Sequence, residues 1–459
     1  MKQQNDAVTR RFTIPKLSIA IVVFIVVFMP LYPFLTTWAG ASFGEPLLWK
    51  VAKDVLLGVT FLGIGGWVLG DGRRRELLAR DTLIWLVGLY ALVAVVVTLF
   101  NWNGISESLL AGMAIHARYL AILLIVYLAV RYGELKFDIN KLPLKFLAVG
   151  GVALAVIGIV QVFLLPLDTL EAFGYDKGAT IAPFVLIDEN PDAPRAFATL
   201  RGPNDYGAYL IMTIIAAAFL TLRDKRWVIG VFVMVFALVL SSSRSAMLGL
   251  FCAALAVAVI RYRSLTARAK RYALYGFGAT IIAGILLLIA ATTVPALQLA
   301  VFHSSPDDPS LTEGSTDEHW TQTGAGIDRA IADPLGCGFG CAGPASFYGD
   351  ESRIAENWFV QVAEEFGIIG LITWIVLFTF IMVQLYTRRH LLLAQLLFAS
   401  AIGLSVVGVW LHVWADDPIS LTWWALAGAA LAMIVSTSTG SVAPKQVDYT
   451  DETQPKTAD

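Results

Sequence analysis

Charge is what this chain has least of. Asp, Glu, Lys and Arg make up 15% of its 459 residues, hydrophobic residues make up 57%, and the mean hydropathy is +0.71. Soluble domains average about 25% charged residues, so a chain of several soluble domains is excluded and the length is assigned to membrane spans. The net charge of −2 carries no signal for nucleic acid, and no nucleic-acid partner is expected. Cysteine is scarce at three residues. Cys252 falls in a hydrophobic run and reads as packing. Cys337 and Cys341 can form a disulfide if their loop turns tightly, and otherwise stand as two thiols. There is no C-x-x-C or His-rich zinc pattern, so no metal is expected. A cleavable signal is also lacking. The basic stretch Met1 to Arg11 leads into a hydrophobic run with no small-residue cleavage site, and that run is expected to stay as a span.

Crossing about 30 Å of hydrocarbon takes about 20 apolar residues. Twelve runs approach that length: 17–37, 47–69, 81–100, 109–130, 143–166, 205–222, 227–242, 245–261, 273–294, 367–386, 391–412 and 419–436. The seventh and eighth are short and meet at Ser241-Ser242-Ser243-Arg244, which suggests a helical hairpin with a tight turn. With the N-terminus inside, the inner loops collect Arg73, Arg74, Arg75 and Arg80, then Arg131 to Lys145, Arg223 to Arg226, Arg261 to Arg271, and Arg388 with Arg389. The outer loops near 101–108 and 413–418 hold no Lys or Arg. The opposite threading inverts this bias and is rejected. The expected fold is an all-α integral membrane protein of about twelve transmembrane helices. Helices 1–9 occupy 1–293, a large extracytoplasmic loop occupies 294–366, helices 10–12 occupy 367–436, and a disordered cytoplasmic tail occupies 437–459. Within the large loop, Thr321 to Ile331 is expected as a short helix and Ile354 to Phe366 as an amphipathic helix leading into the tenth span.

Against that topology a second set of cations stands on the wrong side. Lys50, Lys53, His116, Arg118, Arg195, Arg201 and Arg244 all map to outward loops or to the outer half of a span, where charge is costly and usually functional. Lys50 and Asp54 are spaced i, i+4 and can pair, leaving Lys53 partly unneutralised. Arg195 and Arg201 lie in a stretch (APRAFATLRGPNDYG, 193–207) that opens the sixth span. Its Gly202-Pro203-Asn204 turn sets a helix N-terminus, which favours anions, beside a guanidinium that can clasp phosphate oxygens. Arg244 follows three serines at the hairpin corner. The bland readings are snorkelling, a structural ion pair, an interfacial Arg, and hydroxyls that satisfy loose backbone groups. Gly336 to Gly343 superficially matches a dinucleotide fingerprint. No strand precedes it, so nucleotide binding is rejected in favour of a tight loop whose backbone approaches something closely. Glu356, before Asn357 and Trp358, is a candidate general base, with a helix-start carboxylate as the plain alternative. Glu364 and Glu365 read more readily as structural. His303 and His319 read as solvated loop histidines.

Four segments resemble the O-antigen ligase and Wzy-type polymerase superfamily of bacterial surface-glycan assembly. They are the RAFATLRGPNDYG opening of a span, the SSSRS corner, the DPLGCGFG loop (333–340), and the Glu356-Asn357 helix that ends in EFGIIG (365–370). The resemblance implies a GT-C-like fold in the bacterial cytoplasmic membrane. It also implies inverting transfer, without metal, nucleotide or other cofactor, of a polyprenyl (undecaprenyl) pyrophosphate-linked glycan to a glycan or lipid-linked acceptor. Membrane lipids, and for a polymerase a chain-length regulator, are the further partners. By the resemblance Arg201 and Arg244 contact the pyrophosphate. Topology adds Arg195, Arg118 and Lys53. Ligases usually have His at the position of Glu356, so the Glu favours a polymerase, with ligation to lipid A core or protein as the alternative. Twelve spans with both termini inside also suit a transporter or lipid flippase, although the charges skew outward here rather than sitting at the midplane. A non-catalytic scaffold in envelope assembly is the third reading.

Overall fold

Proline, glycine and aspartate set the helix boundaries. In the computed structural model, which describes residues 13–133, 135, 138, 141–187, 190–262, 266–268, 270–271, 289 and 314–439, the first run becomes α1 (Ile14–Phe28) and α2 (Tyr32–Phe43). A 3-10 turn at Met29–Leu31 joins them, where Pro30 and Pro33 remove backbone donors and break the ladder. α3 (Pro46–Leu69) starts on a proline, tolerated in a first turn, and bends by 105° into α4 (Gly72–Ala79). Asp71 caps α4 by accepting from the Arg74 amide at 2.9 Å. Asp81 caps α5 (Thr82–Phe100) by accepting from the Leu83 amide at 3.0 Å. Then come α6 (Glu107–Gly133), α7 (Leu142–Phe163), and a short antiparallel pair, β1 (Leu186–Ile187) and β2 (Asn190–Pro194). They are followed by α8 (Pro203–Leu220), α9 (Trp227–Leu240), α10 (Arg244–Tyr262), α11 (Gly314–Ala332), α12 (Trp358–Thr387), α13 (Leu392–Val407) and α14 (Asp417–Thr439).

Every expected run except the ninth falls on one of these helices. The ninth run, His303, the Met1 to Arg11 stretch and the tail beyond Thr439 lie outside the described residues. Among the described residues six helices are long and apolar enough to cross a membrane, or seven when the bent α3–α4 pair is counted. α5 shows why this reads as membrane. Leu83, Val87, Tyr90 and Ala94 are buried at helical spacing, while Trp85, Leu89, Leu92 and Leu99 are exposed and apolar. That outer face needs lipid, not water.

α6 is the central helix. It packs against α14, α3 and α1, and Tyr119, Ile122, Leu123 and Ile125 on it are wholly buried. A wall of aromatics joins α12 to α14: Trp374 stacks on Phe378 at 4.9 Å, and Phe378 meets Trp423 at 5.9 Å. α10 and α13 cross so closely that a Cβ on Gly249 would lie 2.7 Å from the Gly403 carbonyl oxygen, the approach that small residues permit between membrane helices.

Three local expectations change. α9 and α10 do not fold back on each other as a hairpin. Ser242 takes a left-handed φ of 50° at the corner, and the helices diverge, α9 onto α7 and α8, α10 onto α13. The short helix expected at 321–331 is longer, extending over Gly314–Ala332. The amphipathic helix expected from Ile354 and the tenth span are one helix that starts only at Trp358 and carries a break at Gly367, φ 67°.

Candidate functional site

The stretch before α8 does not stay on the surface. Ala196, Phe197, Ala198 and Leu200 are buried, and the Gln161 amide oxygen on α7 accepts from the backbone amides of Phe197 and Ala198 at 3.1 and 2.8 Å. The Thr199 hydroxyl donates to the Pro30 carbonyl at 2.6 Å. Arg195 is thereby fixed at the α9–α10 corner. Its Nε donates to the Ser241 carbonyl at 2.9 Å and its Nη2 to the Asn204 side-chain oxygen at 3.1 Å. No carboxylate pairs with it among the described residues. Burial, and then the neighbouring Arg244 guanidinium, lower its pKa to about 10. Arg244 opens α10, so the N-terminal end of a helix dipole adds to the same positive field.

Arg195, Asn204, Ser242 and Arg244 line a cavity of about 330 Å³ together with His319, Trp320, Glu356 and Trp410. Glu356 stands two residues before α12, in a left-handed conformation at φ 45° that a non-glycine residue adopts at a cost. It is therefore not the first-turn carboxylate of that helix. Asn357 is the cap, and its side-chain oxygen accepts from the Phe359 and Val360 amides at 2.9 and 3.1 Å. Glu356 Oε2 lies 2.6 Å from His319 Nδ1, and this hydrogen bond holds the carboxyl below its usual range against the opposing effect of burial. Arg195, Arg244 and Glu356, three of the residues singled out from sequence, thus share one cavity. His319, set aside there as a solvated loop histidine, joins them.

Lys53, Arg118 and Arg201 do not line it. Lys53 Nζ pairs with Asp54 at 3.0 Å and Asp417 at 3.1 Å, and Arg118 Nη1 pairs with Asp417 at 2.7 Å. Arg118 Nη2 also donates to the Ala415 carbonyl at 2.5 Å. The pairing expected between Lys50 and Asp54 is made by Lys53 instead, which leaves the partly unneutralised Lys53 of the sequence reading with two carboxylates. Arg201 is exposed to solvent. Burial would lower its pKa, but Asp417, Asp416 and Asp205 prevail and raise it. Sequence reasoning scored the 413–418 loop only for its missing Lys and Arg. The adjacent Asp416-Asp417 pair before a helix was the signal that went unread.

His116 is part of the core. Its Nε2 lies 2.7 Å from Glu365 Oε2 and its Nδ1 lies 3.0 Å from the Tyr90 hydroxyl, with Phe339, Phe366 and Trp358 around the ring. Glu365 also accepts from the Gly340 amide at 2.8 Å, which ties the glycine-rich loop to the bundle. That loop repairs the break in α12. Cys337 and Gly338 amides donate to the Glu364 and Glu365 carbonyls at 3.0 and 2.7 Å, and the Ile368 amide donates to Pro334 at 3.0 Å. Gly340, at φ 79°, passes so near Ser108 that a Cβ would overlap the Ser108 carbonyl oxygen. The expected close backbone approach is thus to α6 and α12. Cys337 and Cys341 in this loop are disulfide-bonded, Cα to Cα 6.0 Å.

Residues 229–375 match the family model described as O-antigen ligase. Over that segment the chain is similar to the O-antigen ligases. The match runs from α9 into α12, so it covers Arg244, His319, the glycine-rich loop and Glu356, and leaves Lys53, Arg118, Arg195 and Arg201 outside. No curated protein matches the chain. The apolar helices and the segment similar to O-antigen ligases together support a multi-pass membrane protein of glycan assembly and point to the bacterial inner membrane.

Proposed function

We propose that the protein is an integral-membrane, GT-C-type glycosyltransferase. It transfers a polyprenyl-pyrophosphate-linked glycan to a sugar hydroxyl at the outer face of the cytoplasmic membrane, with both of its own termini inside. The observation that carries this reading is one cavity lined by two guanidiniums and by a carboxylate–imidazole pair. Arg195 is held by carbonyl and amide oxygens rather than by a carboxylate, so its charge remains available to an anion. In the reaction the pyrophosphate leaves, and negative charge grows on its oxygens. Fixed guanidiniums aimed there stabilise that charge more in the transition state than in the bound donor. Attack by the acceptor oxygen from the opposite side inverts the anomeric carbon, and the leaving group is activated by the arginines without a metal.

Arg195 and Arg244 are the pyrophosphate contacts in this account. Lys53 and Arg118 are not, because Asp54 and Asp417 already neutralise them. Arg201, solvent-exposed beside Asp417, Asp416 and Asp205, is assigned to the approach of the donor. Domain limits follow the same reading, with 294–366 as the extracytoplasmic loop between helices 1–9 and 10–12.

Glu356 at the position where ligases have His favours repeat-unit polymerisation over ligation. The test is mass spectrometry of products formed by purified protein from polyprenyl-pyrophosphate oligosaccharide. Longer lipid-linked chains are expected; transfer to lipid A core or protein would make it a ligase, and no transfer to any of these would overturn the reading.

A further inference from the structure

We propose that His319 is the catalytic base of this site and that Glu356 is its positioning partner. The inference deepens the glycan-transfer reading and rests on it.

The arrangement is built from two helices. α11 docks its face onto the segment before α12 through residues at helical spacing. His319 Nδ1 lies 2.6 Å from Glu356 Oε2, and one turn on, the Thr323 hydroxyl donates to the Ala355 carbonyl at 2.8 Å. A Cβ on Gly326, a further turn along, would lie 2.8 Å from the Ala355 Cβ, and Arg329 Nε meets Glu364 Oε1 at 2.5 Å. The left-handed Glu356 is therefore held from both sides, by α11 and by the Asn357 cap. A residue kept in a costly conformation by this many contacts has its side-chain direction fixed.

With its Nδ1 bound to a carboxylate, a neutral imidazole carries its proton there and presents an Nε2 lone pair. His319 Nε2 is buried and has no hydrogen-bond partner among the described residues. A polar atom left so is costly unless something completes it, and an acceptor hydroxyl in the cavity would do so. Among the described residues, the charged and titratable groups around His319 are Glu356 before α12, His412 between α13 and α14, and Arg195 and Arg244, which line the same cavity. Of these, Glu356 is held below the usual carboxylate range by the histidine, which makes it a weak base near neutral pH. Burial pushes His412 down to about 4 and keeps it uncharged.

The step balances simply. The acceptor O–H gives its proton to His319 Nε2 as its oxygen forms a bond to the anomeric carbon. The bond from that carbon to the pyrophosphate oxygen breaks, and its electron pair leaves with the polyprenyl pyrophosphate. The imidazolium then returns the proton to the released pyrophosphate or to water.

The test uses full-length purified protein and lipid-linked oligosaccharide extracted from native membranes, with products followed by mass spectrometry. His319→Ala is expected to transfer at least about 100-fold more slowly, to bind polyprenyl pyrophosphate as wild type does, and to regain at least about tenfold on addition of imidazole. His319→Gln, which can still hydrogen-bond Glu356 and preserve the packing of α11, is expected to lose as much. Glu356→Gln is expected to lose less and to gain nothing from imidazole. The assignment is overturned if either His319 variant works within about threefold of wild type while wild type transfers glycan. It is overturned as well if His319→Ala gains nothing from imidazole. Wild-type protein that transfers no glycan overturns the underlying reading, and this assignment with it.

Discussion

Two groups of cations, alike in the sequence, have opposite fates in the fold. Lys53 and Arg118 meet Asp417 and Asp54 within about 3 Å, and their charge is cancelled where they stand. Arg195 sits beside a second arginine and is held by neutral oxygens. The first arrangement is what a membrane protein does with a charge it needs for packing. The second holds Arg195 by neutral oxygens, at a cost, beside an open cavity. Sidedness alone flags both groups; the partner decides which is a binding site.

The largest effect should come from breaking the cancelled group. Asp417→Ala leaves Lys53 and Arg118 buried without their shared carboxylate and is expected to cost about 3–5 kcal/mol of stability, measured by thermal unfolding in detergent. Protein that stays folded should transfer glycan within about tenfold of wild type. The cavity-lining group should behave in the reverse way. Arg244→Ala is expected to slow transfer by about 100-fold or more, about 2.7 kcal/mol, with little change in unfolding temperature. Arg195→Lys should not restore what Arg195→Ala loses, because an ammonium cannot hold both the Ser241 carbonyl and a phosphate as a guanidinium does.

Smaller effects concern the residues around Glu356 and His319. Asn357→Ala removes the cap of α12 and should cost about 1 kcal/mol, with a rise in KM for the acceptor as Glu356 loosens. His412 gives a pH signature. Its folded-state pKa, about 4, lies below the ordinary 6.5, so the unfolded chain binds the proton first. Stability should fall as pH drops from about 6.5 towards about 4, and His412→Gln should flatten that slope in unfolding temperature against pH.

Much of the bundle was legible because hydrophobic length and loop charge are local properties. α5 can be read from its own residues, whereas the run 17–37, expected as one span, is broken where Pro30 and Pro33 fall. The site was only half legible. Arg195, Arg244 and Glu356 could be named because each lies in a short motif. What could not be read was who meets whom. Asp417 reaches Lys53 and Arg118 from the far end of the chain, and His319 reaches Glu356 from a polar stretch with no motif of its own. The glycine-rich loop was read as a close approach, but its partners, the broken turn at Gly367 and the start of α6, depend on a kink that no residue spacing announces. The same holds for α9 and α10, whose divergence is set by α7, α8 and α13.

The most direct measurement is the affinity of purified protein for polyprenyl pyrophosphate across variants of the two cation groups. The account predicts that Arg195→Ala and Arg244→Ala each bind at least about tenfold more weakly, about 1.4 kcal/mol, while folded Lys53→Met binds as wild type does. Wild-type affinity in both arginine variants, with binding lost in Lys53→Met, would contradict it.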